Sequence, residues 1–444
     1  MKPWVMALLL VLICLAVYHP HQNATFVLDD YYTVVRNPLI KNPMLYGNIW
    51  TSRLFDANPS SGYIKFGYYR PMLQLSWIPD YRLFGLKTFG YQWMNLLIHG
   101  LNCFLLYILW KELFSSASLA AKAGLLFCVL PGQEWVVRYV TGRGDELSVL
   151  FALAALLALL WVLKTGIKQG YFLVLFLWAL SALTREVAIT YVLYAFLLRS
   201  TYFKIKNINK FSLYWILIGI LPLLLLWPII PKQGNILGFH VLYIAFAGLC
   251  LWMAQLRLRW FILLFTLFAA LSFHEGQFWT TEENLLRHTR SLECWPRTVV
   301  AQQLLMKYDE DIPAIANMVE RSHDPFAKAI WLRRLGLVYF QHNDLSRARE
   351  YFTQALLVRP LDVDVLNALA VVAHDQGLEL QSLAYLDKSL QIDPFYPDTL
   401  RTLGIHYYNQ GDFMKARSLF ERCLFFDPND ARARQLLELA NKTI

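Results

Sequence analysis

The sequence predicts an all-α protein, a polytopic bundle of membrane-spanning helices followed by a soluble solenoid of paired helices. Three observations predict it. Hydrophobic residues make up 57% of the 444 residues and charged residues only 16%, where a soluble domain carries about 25% charge. Apolar runs of bilayer length recur through the first two thirds of the chain. Proline then returns at Pro360, Pro394 and Pro428, a spacing of 34 residues.

A helical span needs about 20 apolar residues. Candidate spans are 4–19, 91–112, 119–139, 146–164, 170–184, 186–199, 211–230, 236–256 and 259–275. The first follows Met1-Lys2-Pro3, and His19-Pro20-His21-Gln22 comes after it with no small-x-small cleavage site. It therefore reads as a retained membrane helix rather than a signal peptide. The net charge of +9 sits largely in short loops between apolar runs, a pattern of membrane topology and not of a nucleic-acid face. With Lys2 in the cytoplasm, the cytoplasmic loops hold Lys111, Lys164, Lys168, Arg199, Lys204, Lys206, Lys210, Arg257 and Arg259, as the positive-inside rule asks. An odd number of spans then places 20–90, 131–145, 184–187 and everything after about 276 outside. Loop 20–90 is too long to be structureless, and 72–84 within it has the pattern of an amphipathic helix on the membrane surface.

Around the periodic prolines, Leu335-Gly336, Tyr339, Ala348, Phe352 and Ala355 precede Pro360, and Leu403-Gly404, Tyr407, Ala416 and Phe420 precede Pro428. The middle repeat is looser, with Leu369-Ala370, Ala373, Ser382 and Leu386 before Pro394. This is the period and residue pattern of the tetratricopeptide repeat (TPR), in which small residues permit close helix contact and large ones fill the gap. Residues 429–442 fit a closing helix over the last apolar face. The expected organisation is a membrane domain over 1–280, a helical connector or degenerate repeat over 281–326, and a TPR domain over 327–444.

Four of the six cysteines, Cys14, Cys103, Cys128 and Cys250, lie in apolar segments as small hydrophobes. Cys294 and Cys423 are remote in sequence, and no CxxC or Cys/His spacing points to zinc. Nor is there a Walker loop, a GxGxxG or a metal-ligand cluster with firm spacing, so a cytosolic nucleotide-sugar donor has no visible site.

Ionisable residues beside membrane helices are costly and mark function. The outside-facing ones are Asp29-Asp30, Arg70, Glu134, Arg138, Arg143, Asp145, Glu146, Arg185 and Glu186. They come from distant parts of the chain, yet the topology puts them on one side. Paired carboxylates such as Asp29-Asp30 can supply a general base; as a bare dipeptide they can equally cap a helix or turn. Arginine forks bind phosphate bidentately, and a lipid-linked phosphate is a natural ligand at this surface. The bland alternatives are interfacial ion pairs for the Glu134–Glu146 stretch, a salt bridge within Thr184-Arg185-Glu186 that closes a helical hairpin, and polar pairing of Asn95 with His99.

Phe26-Val27-Leu28-Asp29-Asp30 followed by Asn37-Pro38, then Tyr69-Arg70-Pro71, Asn95 with His99, Pro131-Gly132-Gln133-Glu134, Gly142-Arg143-Gly144-Asp145 and Arg185-Glu186 resembles, in order, the motifs of the transmembrane and TPR-repeat-containing O-mannosyltransferases. That resemblance implies a GT-C-like bundle and an inverting glycosyltransferase. Its donor would be a polyprenyl-phosphate sugar, and it would work on the membrane face away from the cytoplasm. By analogy Asp29, with Asp30 beside it, takes the proton from an acceptor hydroxyl. Arg70, Arg138 and Arg143 hold the leaving lipid phosphate. Glu134, Asp145 and Glu186, with Arg185 in place of the family's lysine, orient the sugar, the acceptor or the arginines. The alanine of Gly-Arg-Ala-Asp is Gly144 here. The compact membrane part and about three repeats point to a bacterial relative using undecaprenyl phosphate, with loop and repeats in the periplasm; an ER membrane with lumenal repeats is the other setting. The partners implied are the lipid-linked sugar, membrane lipid and an acceptor protein in the TPR groove, with no nucleic acid. A divalent ion is compatible with these acids, but no spacing supports one. The competing class is a non-enzymatic membrane anchor displaying a TPR scaffold for an envelope or secretion complex. A third reading keeps the enzyme and makes the acceptor a lipid or glycan.

Overall fold

The computed structural model describes residues 2–35, 37–52, 54, 68–201, 207–226, 242–281, 284–285, 288, 312–321, 325–427 and 430–443. All regular structure among them is helical. Lys204, Lys206, Cys294, the connector 295–311 and Pro428 lie outside the described residues. Contacts divide the chain into one unit of 1–35 with 68–301 and a second of 36–67 with 302–444. The middle of the first long loop thus groups with the C-terminal repeats, where the sequence reading kept all of 20–90 with the membrane domain.

In the first unit run α1 (Pro3–Val17), then, after the loop segment that belongs to the second unit, α3 (Pro71–Phe84), α4 (Thr88–Phe114), α5 (Ala117–Cys128), the single turn α6 (Glu134–Val137), α7 (Arg143–Thr165), α8 (Gly170–Thr184), a 3-10 turn (Glu186–Tyr191), α9 (Val192–Thr201), α10 (Ile208–Leu226), α11 (Tyr243–Met253) and α12 (Leu258–Gly276). Among the described residues α4, α7 and α12 are long and apolar enough to cross a bilayer, and α1, α5, α8, α10 and α11 contain shorter apolar helices. Large apolar side chains stand exposed along α8 (Phe172, Leu175, Phe176) and α12 (Ile262, Leu263, Leu267). Such faces suit lipid rather than water, and the chain is a membrane protein. Inside, Leu10, Cys14, Leu96, Leu106, Trp110, Leu126, Leu153 and Trp215 form one core. Two expected spans are interrupted. The helix expected over 119–139 ends at Cys128, because Pro131-Gly132 turns the chain before Glu134. That expected over 186–199 begins as the 3-10 turn and becomes α-helical only at Val192.

The second unit starts with α2 (Pro38–Lys41) and a 3-10 helix (Pro43–Trp50). Each opens on an Asn-Pro pair. Asn37 and Asn42 accept from the backbone N–H groups of Leu39 (2.9 Å) and Met44 (3.0 Å), and proline fills the first helical position, where an N–H has no partner. The buried Lys41 ammonium donates to Asp427 at 2.8 Å. The Asn42 amide donates to the Phe425 carbonyl at 2.7 Å, and Leu45 packs against the core of Leu400, Leu403 and Leu419.

The repeats are α13 (Ile312–Arg321), α14 (Pro325–Gln341), α15 (Leu345–Val358), α16 (Val363–Asp375), α17 (Glu379–Ile392), α18 (Pro397–Asn409), α19 (Phe413–Phe426) and α20 (Ala431–Thr443). The turns α14–α15, α16–α17 and α18–α19 each use one left-handed residue, Asn343 (φ 60°), Gly377 (φ 74°) and Gly411 (φ 81°). These recur at the repeat period and are residue types that accept that conformation. Asp344 and Asp412 then cap α15 and α19.

The small-to-large pattern is a packing device. A Cβ on Gly336 would lie 2.6 Å from the Phe352 ring, and one on Gly404 would lie 2.5 Å from the Phe420 ring. In the middle repeat Ala370 faces no phenylalanine; the equivalent position is Leu386. Gly404→Ala is therefore expected to cost about 1–3 kcal/mol by overpacking. Adding Phe420→Leu should recover part of it, as thermal unfolding of the purified chain will show.

Candidate functional site

The predicted residues gather at one end of the first unit: Asp29 and Asp30 beyond the end of α1, Arg70 before the start of α3, Glu134 and Arg138 at α6, Arg143 and Asp145 at the start of α7, and Arg185 and Glu186 beyond the end of α8. Just beyond α1 the chain is pinned by Thr25, whose N–H donates to the Thr280 carbonyl at 2.9 Å. Val27 and Leu28 pack on Trp135, Tyr139 and Trp279. Leu28 is left-handed (φ 52°), an uncommon state for a bulky residue that marks a locally strained turn.

The two aspartates that follow take different parts. Asp30 is fully buried. Its carboxylate accepts from the Thr141 N–H (2.8 Å) and hydroxyl (2.7 Å), from Val140 N–H (3.4 Å) and from Val27 N–H (3.3 Å). It clasps the first loop to the segment that opens α7. Burial pushes Asp30 up to about 7, against the pull of the Thr141 hydroxyl and the backbone donors. Asp29 beside it is half-buried, and its carbonyl accepts from Thr33.

The pH consequence of the clasp has a definite sign. A buried carboxylate whose folded pKa lies above its unfolded value binds its proton more tightly when folded. Its contribution is favourable in acid and is lost as pH rises from about 4 through about 7. The melting temperature of the wild-type protein in detergent should fall over that interval more steeply than that of Asp30→Asn, which does not titrate there.

Four polar side chains of the bundle shape the next layer. Gln92 donates to the Arg138 carbonyl (3.0 Å), and Asn95 to the carbonyls of Val136 (3.2 Å) and Tyr139 (3.0 Å), so α4 holds the turn around α6. His99 pairs with the Tyr243 hydroxyl at 2.7 Å, and Asn102 donates to the Glu146 carbonyl. The expected pairing of Asn95 with His99 is thus replaced by separate partners.

Arg143 is wholly buried. Its Nε donates to Asn95 (2.7 Å), Nη1 to the Ser76 carbonyl (2.9 Å) and Nη2 to the Tyr91 carbonyl (3.0 Å), while Nη2 also lies 2.5 Å from the buried Asp80 carboxylate. This differs from the phosphate role that the resemblance implies: the guanidinium is spent on tying α3 and α4 to the start of α7. Asp80 escaped the sequence reading, although Leu73, Trp77 and Asp80 fall at i, i+4 and i+7. A carboxylate on the buried stripe of a helix demands a cation. Expected on the membrane surface, α3 instead buries Leu73, Gln74, Trp77, Ile78 and Asp80.

Two further pairs stand beside this clamp. Arg70 makes a bidentate contact with Glu186, Nε to Oε2 at 2.9 Å and Nη2 to Oε1 at 2.5 Å, and lies over the Tyr68 ring at 4.2 Å. Arg185 pairs with Asp145 at 2.7 Å. The adjacent Arg185 and Glu186 each reach a different partner, which corrects the alternative that they close a hairpin on one another. The Gly144 Cα faces this pair: a Cβ there would lie 3.6 Å from Arg185 Nη1 and 3.3 Å from Leu73.

Arg138 and Glu134 are buried on one turn with hydrogen-bonding capacity left over. Glu134 Oε2 accepts from Gly132 N–H at 2.8 Å. Its Oε1, with Nε and Nη1 of Arg138 and Nε2 of His21, has no hydrogen-bond partner among the described residues. Gly276 leaves the space that the Arg138 guanidinium occupies, since a Cβ would lie 2.6 Å from Nη2. Buried polar atoms without partners are costly, and here donors of Arg138 and an acceptor of Glu134 share one turn.

Comparison with known proteins adds two findings. The tetratricopeptide repeat family matches residues 333–397. The chain is 31% identical over 159 residues to a protein O-mannosyl-transferase of Caenorhabditis elegans, covering 34% of this chain and 22% of that protein. It is 29% identical over 190 residues to protein O-mannosyl-transferase TMTC4 of Mus musculus (38% and 26%), and 30% identical over 178 residues to protein O-mannosyl-transferase TMTC1 of Homo sapiens (37% and 20%). The chain thus spans about a fifth to a quarter of the length of these relatives.

Proposed function

We propose that this chain is a membrane glycosyltransferase of the GT-C type. It transfers a sugar from a polyprenyl-phosphate donor to a serine or threonine hydroxyl of a protein on the non-cytoplasmic face. The observation that carries this reading is the half-buried Asp29, presented by the Asp30 clasp at the end of the bundle that also holds Arg138 with its unmade donors. The likeness to protein O-mannosyl-transferases supports the same chemistry.

In the proposed step the acceptor oxygen attacks the anomeric carbon and passes its proton to Asp29. The bond from the anomeric carbon to the phosphate oxygen breaks, and the lipid phosphate leaves with the electron pair. Arg138, a buried cation, meets the charge that develops on the phosphate. Arg70 and Arg185 are each half of an ion pair, so a phosphate reaches them only by exchange with Glu186 or Asp145. Arg143 holds the scaffold and touches no substrate. The contacts of Lys41 and Asn42 with Asp427 and Phe425 support one shared membrane face for this loop and the repeats, and the basic loops of the bundle support the non-cytoplasmic one. The lipid of choice is undecaprenyl phosphate in a bacterial inner membrane, with the TPR groove taking the acceptor protein.

The test is reconstitution in vesicles with a polyprenyl-phosphate mannose and a serine/threonine peptide, following free lipid phosphate and glycopeptide together. Production of both supports the reading. Donor that is neither bound nor consumed by folded protein would return the chain to the class of membrane-anchored scaffolds.

A further inference from the structure

The repeats carry a cluster that the sequence spacing hides. His374 lies in the last turn of α16, Glu379 opens α17 and His406 lies on α18. The turn through Gly377 folds the start of α17 back beside the end of α16, and the next repeat lays α18 alongside. As a result the Nδ1 atoms of both imidazoles face one carboxylate, His374 to Oε1 at 2.8 Å and His406 to Oε2 at 3.0 Å. One ligating atom from each residue lies within 4.8 Å of the others.

We propose that His374, Glu379 and His406 form a site for a divalent first-row transition metal of the zinc type, one that pins three successive helices of the second and third repeats. Two imidazoles and one carboxylate are a zinc donor set that leaves a coordination position open for water. At metal–ligand distances of about 2.0–2.2 Å, tetrahedral donors sit about 3.3–3.6 Å apart, so the imidazole nitrogens, now 2.8 and 3.0 Å from the carboxylate oxygens, need to separate from them by only about half an ångström to admit an ion. The tautomer requirement can be met without net proton loss. Each imidazole moves its proton from Nδ1 to Nε2, which frees the Nδ1 lone pair for the metal. For His406 the Nε2 lies 2.9 Å from the Gln410 side-chain amide, whose oxygen can be turned to accept it and so orient the ring. His374 is 38% exposed, and water can serve its Nε2. The His406 side chain is buried, while Glu379 is 46% exposed, so the site has one fixed ligand and an open rim through which an ion can enter. A dication on one carboxylate and two neutral rings leaves a single net positive charge, which the exposed rim keeps solvated.

The site is independent of the activity proposed above, and its test needs no turnover. The full-length protein in detergent is stripped with a chelator and titrated with Zn2+ by equilibrium dialysis. A parallel titration with Co2+ is read from its visible absorption. His406→Ala and Glu379→Ala should each abolish one equivalent of binding and the matching Co2+ band, and Gln410→Ala should keep the equivalent but weaken it about tenfold, as loss of an orienting partner does. Far-UV circular dichroism verifies that each variant is folded. If His406→Ala does not fold, the rim variant His374→Ala decides the matter by the same readout. Folded variants that bind the same number of ions with wild-type affinity overturn the proposal.

Discussion

Arg143→Met is expected to destabilise the membrane unit by about 3–5 kcal/mol, the usual result of removing one partner from a buried ion pair. The substitution strands the Asp80 carboxylate, which has no exposed surface. It also leaves Asn95 Oδ1 without its donor, an added cost in a dry interior, and removes a second donor from the helical carbonyls of Ser76 and Tyr91. Thermal unfolding in detergent should show the loss directly. The double variant Asp80→Leu/Arg143→Met should recover most of it, because replacing a buried pair by apolar side chains is often neutral or stabilising. The opposite pattern, a wild-type melting temperature with lost turnover, would overturn the clamp and restore a substrate-binding role to Arg143.

Asp29→Asn is expected to lower glycosyl transfer by about 10²- to 10⁴-fold, the ordinary contribution of a positioned general base, in protein that still inserts and folds. Asp30→Asn should behave differently. Its amide nitrogen cannot accept from the Val27 and Val140 N–H groups, which both point at Oδ2 of the native carboxylate, so the loop loosens and stability falls together with activity. Comparing the two variants for turnover and melting separates a residue that touches substrate from one that positions it. Unimpaired transfer by Asp29→Asn would remove it from the role of base.

Much of the architecture was legible because it rests on local periodicities. The 34-residue recurrence of proline, of the small residues at Gly336, Ala370 and Gly404, and of the large ones at Phe352, Leu386 and Phe420 repeats one packing contact. The apolar runs of α4, α7 and α12 carry their meaning in composition alone. Element ends were less legible where a turn interrupts an apolar run. The break after Cys128 and the 3-10 start at Glu186 depend on a proline-glycine pair and on ion pairs with distant helices, and hydropathy averages over both.

Candidate site residues could be found one by one, since a charge beside a membrane helix is conspicuous. Their partners could not. Arg143 chose Asp80 over its neighbour Asp145, Arg185 chose Asp145 over the adjacent Glu186, and Glu186 chose Arg70. Coulomb attraction and hydrogen bonding fall off over a few ångströms, so such choices depend on distances between helix ends that chain order does not encode. The same holds for His374 and His406, which carry no metal-ligand spacing and meet only because successive repeats stack. By itself the sequence determined the class of the fold, the repeat register and the set of charged residues from which a site could be built, because these are properties of composition and period. Only the tertiary structure decided that Asp30 and Arg143 are tied into the scaffold while Arg138 has donors without a partner among the described residues, because that depends on which polar groups the packed helices bring within hydrogen-bond reach.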